Sequence, residues 1–93
     1  MANAFGEGTV ARWLAEQHLD HLRVLTRGVH LVVYSEEDGT KWNRIRFTHL
    51  GGQTYLLGTA DHRGRWEHTP FTGSLQELLR PVATEFAWVL TDA

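Results

Sequence analysis

Tyr34, Trp42, Arg44, Arg46, Tyr55 and Trp66 are the side chains of this chain with the most to offer chemically. They fall within a stretch that reads as consecutive β-hairpins, which would set rings and guanidinium groups side by side. Rings stack on nucleobases and Arg pairs with phosphate, the ingredients of a single-stranded nucleic-acid platform. Trp, Tyr and Arg are also the residues enriched at protein interfaces. In a third arrangement, Arg stems simply pack over rings on a solvated sheet face. The six His are a second source of chemistry, because imidazole titrates near neutrality and ligates metals. His18 and His21 are three residues apart with Asp20 between them, and His49, His62 and His68 lie near turns. None of these matches a recognised metal-ligand spacing. Asp61-His62 with Glu67-His68 offers an acid/base pair, but Asp61-His62-Arg63-Gly64 reads first as a turn. No glycine-rich loop opens a helix, so the chain carries no phosphate-loop or cofactor fingerprint.

The elements that position these residues follow from alternation. Two alternating runs flank Gly51-Gly52, and glycine supplies the positive φ of a two-residue turn. Setting Leu50 opposite Gln53 puts Thr48 by Tyr55 and Phe47 by Leu56. One face then carries Ile45, Phe47, Thr54, Leu56 and Gly58, with His49 near the turn. The other carries Trp42, Arg44, Arg46, Thr48, Tyr55, Leu57 and Thr59. Glu36-Glu37-Asp38-Gly39-Thr40 is a polar turn into the preceding strand. Pairing Tyr34 with Trp42 places Val29, Leu31 and Val33 on the dry face and His30, Val32 and Tyr34 on the Arg/aromatic face. A fourth strand spans about Arg65 to His68, with the face of Trp66 open. Thr69-Pro70-Phe71-Thr72-Gly73 then reads as a loop.

Two helices frame the strands. Residues 1–8 read as a frayed lead-in, and Thr9 as the N-cap of a helix running to about Leu25. Its apolar stripe is Ala11, Leu14, Ala15, His18, Leu22 and Leu25, with Trp13 nearly opposite and Phe5 as a candidate to cover it. Gly28 turns the chain into the first strand. Ser74-Leu75-Gln76-Glu77 is a capping box opening a second helix, with Leu75, Leu78 and Leu79 on its apolar side. Pro81 must end or kink that helix, and residues 82–90 read equally as helix or strand.

Ninety-three residues, 42% of them hydrophobic and 22% charged, suit one globular domain. Without cysteine there is no disulfide framework and no thiolate chemistry. No signal peptide or membrane-spanning run is legible, so a cytoplasmic location is expected. Net charge is −2 overall, yet residues 23–68 carry seven Lys/Arg and five Asp/Glu, leaving the acidic excess on the helices. Eight of the nine basic residues are Arg, a bias compatible with a GC-rich bacterial genome.

The helix–β–β–β–helix order resembles the double-stranded-RNA-binding domain in topology. That family docks phosphates with a Lys cluster at the start of its second helix. Here Gly73-Ser74-Leu75-Gln76-Glu77 has no Lys and one acid, so the resemblance implies the layout and not the activity. The expected fold is α+β: a three- to four-stranded antiparallel meander with an N-terminal and a C-terminal helix on one face. The expected function is a small non-enzymatic binding module, without cofactor. It acts through Tyr34, Trp42, Arg44, Arg46, Tyr55 and Trp66 on the open face or by self-association as a homodimer, on a protein partner. Nucleic acid on the same face and a His-bound metal are the alternatives.

Overall fold

The computed structural model describes residues 3–61 and 63–85, with side chains from residue 6 onward. The elements, in chain order, are α1 (Asn3–Glu16), β1 (Leu22–Arg27), β2 (His30–Glu37), β3 (Thr40–Gly51), β4 (Thr54–Ala60), β5 (Trp66–Gly73) and α2 (Leu75–Thr84). The strands form one antiparallel sheet in the order β1-β2-β3-β4-β5. Both helices pack on the same face, where Val10, Leu14, Leu75, Leu78, Leu79 and Val82 meet Leu31, Val33, Ile45, Phe47, Tyr55 and Leu57. This is the expected α+β arrangement, with five strands rather than three or four. The extra strand also removes the likeness to the RNA-binding topology. No helix among the described residues is long and apolar enough to cross a membrane.

The added strand comes from residues read as helix. α1 stops at Glu16, and His18, at φ 60, ends it in the left-handed region. His18 N–H donates to Ala15 O at 3.1 Å and Leu19 N–H to Leu14 O at 2.9 Å, the paired bonds of a Schellman cap. The helix also begins earlier than Thr9, and its packed stripe is Gly6, Val10 and Leu14, with Trp13 against the core. Ala11, Ala15 and His18 are exposed, so the expected stripe was out of phase. Including Leu22 and Leu25 in the wheel had rotated it; both belong to β1. The expected cover of Trp13 by Phe5 falls on a side chain outside those described.

The turns follow their residues. Gly28, at φ 58, opens a two-residue connection between Arg27 and His30, and Val29 stands exposed in that turn instead of in the core. Asp38-Gly39, both at positive φ, closes β2 and β3 as expected. The Asp61 turn also forms: its carboxylate accepts from the amides of Arg63 and Arg65, at 2.8 and 2.9 Å. His62 lies outside the described residues.

The β3–β4 register is one residue away from the expected one. Gly51 pairs with Thr54, the turn is Gly52-Gln53, and Leu50 is bulged out and exposed. His49 therefore faces Tyr55 and Phe47 faces Leu57, so Tyr55, Leu57 and Thr59 point into the core. A slip of one residue exchanges the faces of a whole strand. Gly51-Gly52-Gln53 accepts the turn in either position, and burial decides between them. Tyr55, Leu57 and Thr59 fill the space under the helices better than Thr54, Leu56 and Gly58 would.

The expected loop 69–73 is the second half of β5. A bulge opposite Leu57 absorbs Pro70: Thr69 Oγ1 donates to Leu57 O at 2.8 Å and accepts from Phe71 N–H at 3.2 Å. At α2 the capping box forms as expected. Glu77 N–H donates to Ser74 Oγ at 3.2 Å and Ser74 N–H to Glu77 Oε1 at 2.9 Å. Pro81 does not stop this helix, which runs through Thr84. The helix-or-strand question beyond it falls on residues 86–90, outside those described.

Candidate functional site

The sheet has one face under the helices and one without a covering element among the described residues. Residues directly opposite in adjacent strands share a face, so the register assigns each side chain. Val32 pairs with Arg46, Arg46 with Gly58 and Gly58 with His68, a row across the uncovered face that Leu25 of β1 begins. The next row holds Arg27, His30, Thr48, Leu56 and Thr72. Arg23, Tyr34 and Asn43 form a third, with Lys41 opposite Glu36 beyond them. Ala60 and Trp66 close the far corner.

Of the six expected site residues, this face collects Tyr34, Arg46 and Trp66. Arg46 is the hinge of the group. Its guanidinium carbon sits 4.7 Å from the centroid of Trp66, in cation–π geometry. Its stem crosses Gly58, where an added Cβ would come within 3.5 Å of Arg46 Cγ. At the other end, Lys41 Nζ lies 5.1 Å from the centroid of Tyr34. Arg46 and Lys41 thus hold the rings of Trp66 and Tyr34 under positive charge.

The other three sit elsewhere. Tyr55 is buried beneath the helices, 5.0 Å from the ring of His49, as the β3–β4 register requires. Arg44 is the extra residue of a bulge between the Val33–Ile45 and Tyr34–Asn43 pairs, so it turns to the same side as Ile45. There its Nε and Nη2 donate to Ser35 Oγ at 3.2 and 2.9 Å, and Nη2 lies 4.0 Å from Glu37. Ser35 is only 1% exposed, so Arg44 supplies partners for a buried hydroxyl. Trp42, opposite Ser35, lies on that side too, exposed at the end of the sheet.

Sequence reasoning missed Arg23, Leu25 and Arg27, which belong to the uncovered face once β1 is a strand. The signal was present: the alternation Leu22, Val24, Thr26 against Arg23, Leu25, Arg27 has period two. The cations of this face are Arg23, Arg27, Lys41 and Arg46, against Glu36 as its acid. A groove of about 770 Å³ lies on the opposite layer, bordered by Arg12, Trp13, Glu16, Tyr55 and Leu79. Its two charges, Arg12 and Glu16, are of opposite sign. Among the described residues, no three His, Asp or Glu side chains converge as metal ligands. His18 and His21 no longer share a helical turn, which removes the spacing that suggested a pair.

His30 is the titratable group that the uncovered face perturbs. Its Nδ1 is 2.9 Å from Thr48 Oγ1. Burial, and then the positive charge of Arg46, lower its pKa from the ordinary 6.5. The folded state therefore resists a proton that the unfolded chain accepts. The stability is fully present above pH 6.5 and is lost as the pH falls from there through the lower folded-state value. Melting temperature measured in steps from neutral to mildly acid pH is expected to fall, and His30→Asn is expected to flatten that part of the profile.

Neither a protein-family model, nor a curated protein, nor a solved structure matches this chain.

Proposed function

We propose that this protein is a non-enzymatic binding module that holds an acidic protein segment or surface on its uncovered sheet face. The observation that carries this reading is the placement of Lys41 over Tyr34 and Arg46 over Trp66. Rings capped by cations offer charge and donors outward, not free π-faces for nucleobases. An Arg held against a Trp is a pre-ordered donor fork for carboxylates, since its rotamer freedom is already spent. Four cations against one acid make the face repel its own copy, which favours a partner of opposite charge.

The test is fluorescence anisotropy with a labelled oligoglutamate peptide and a labelled single-stranded oligonucleotide, each at low and raised salt. The peptide is expected to bind with strong salt dependence. The double variant Lys41→Glu/Arg46→Glu is expected to weaken it by roughly tenfold or more while the fold persists. Tight oligonucleotide binding with quenching of Trp66 fluorescence would instead favour a nucleic-acid platform. Peptide binding indifferent to the double variant would remove the face from consideration.

A further inference from the structure

The two edges of the sheet are built differently. β5 has Pro70, which has no amide to donate, and a bulge tied back by Thr69. β1 has neither: its pairing with β2 runs without a break from Leu22–Ser35 to Arg27–His30. The two-residue turn Gly28-Val29 makes Arg27–His30 a hydrogen-bonded pair. Alternation then aims the amides and carbonyls of Arg23, Leu25 and Arg27 at β2, and those of Leu22, Val24 and Thr26 outward. Leu22 N–H is already bonded to Leu19 O at 3.1 Å. Val24 and Thr26 still present outward donors, and no described strand lies opposite them. Thr26 is also held firmly, its hydroxyl donating to Glu7 of α1.

We infer that this edge pairs with the same edge of a second copy, antiparallel about a two-fold axis at Val24, fusing two sheets into one. An axis perpendicular to the sheet keeps both helix layers on one side, so opposed residues must share a face. That leaves the axis at Val24 or at Leu25. At Leu25, Arg23 of each copy would stand opposite Arg27 of the other, a like-charge contact made twice. At Val24, Val24 meets itself, Leu22 meets Thr26, and Arg23 meets Leu25, whose side chain the arginine stem can cover. Arg27 then comes opposite His21, just outside the strand, and no like-charge Arg–Arg contact forms. This register joins Val24 N–H and O to those of the other Val24, and Thr26 N–H to Leu22 O, while Leu22 N–H keeps its bond to Leu19 O. Both uncovered faces end on the same side, so the joined sheet presents one continuous basic surface. The pairing does not rest on the acidic-partner reading, because it is measured with no peptide present.

Light scattering across a concentration series of the full chain is expected to give twice the 10.6 kDa chain mass. Leu25→Lys sets like charges against Arg23 of the other copy and is expected to raise the dimer dissociation constant roughly tenfold. Leu25→Glu sets opposite charges there and is expected to hold the dimer or tighten it. Circular dichroism checks that both variants remain folded. An axis at Leu25 would bring residue 25 against itself, so both variants would dissociate, and that result overturns the Val24 register. A full chain that stays monomeric, or a dimer that ignores both changes, overturns the pairing.

Discussion

A chain carrying Leu57→Asp is expected to be largely unfolded in water, whereas Leu56→Asp is expected to fold and to lose only about 1 kcal/mol. The two leucines are adjacent, equal in size and indistinguishable by composition. Only the β3–β4 register separates them. Leu57 is 0% exposed and lies among Phe47, Tyr55 and α2 residues, while Leu56 is half-buried on the uncovered face. At position 57, losing the leucine costs about 2–5 kcal/mol. A carboxyl group without a hydrogen-bonding partner adds about 2–7 kcal/mol even when it takes up a proton. Together these reach the ~5–15 kcal/mol that holds a domain folded. Urea titration followed by far-ultraviolet circular dichroism reads both variants. Equal damage at both positions, or the reverse order, would contradict the pairing of Phe47 with Leu57.

Gly6→Leu is expected to destabilise by about 1–3 kcal/mol or more, because α1 approaches the sheet there at glycine distance. A Cβ at residue 6 would lie 3.0 Å from Leu31 Cδ1 and 3.3 Å from both Leu75 Cδ1 and the Tyr55 hydroxyl. Three elements, β2, β4 and α2, close on α1 at that point, so the extra atoms have nowhere to go without moving a helix. Gly8, two residues on in the same helix, has nothing within 4 Å of its Cβ position. Gly8→Ala is therefore expected to stabilise by about 0.5–1 kcal/mol, through helix propensity and a less flexible unfolded chain. Thermal melts of the two variants should move in opposite directions.

Much of the layout was legible in the residues, and the failures have specific physical causes. The Ser74–Glu77 capping box and the Asp38-Gly39 turn are local, chemically encoded signals, and both formed as read. Ile45 and Phe47 were placed correctly under the helices because their strand alternates cleanly. Gly51-Gly52 was read in the wrong register because two glycines and a glutamine permit the turn at two adjacent positions. The choice between them belongs to tertiary packing. That error carried Tyr55 into the candidate site and Leu57 out of the core. Arg44 was misplaced for a related reason: a bulge adds a residue to one strand, and alternation cannot announce it in advance. β1 was absorbed into the first helix because Leu19, Leu22 and Leu25 mimic helical spacing, and His18 is an unusual residue in a left-handed cap position. Arg46 survived these errors because it lies between Ile45 and Phe47 with no bulge among them, and Tyr34 because the extra residue of the bulge is on β3 and leaves β2 alternating. The face of Trp66 was open in the sequence, and its pairing with Ala60 decides it. Why Trp42 stands half exposed at the end of the sheet has no explanation in the packing around it.

The kinked outer strand around Pro70 has a consequence for assembly size. Amyloid-like growth and open filaments need two receptive borders on every unit, so that each addition renews the place where the next one attaches. Here one border is regular and the other refuses strands. Anything that joins along Leu22–Arg27 uses up the one regular border among the described strands, and growth terminates after that single event.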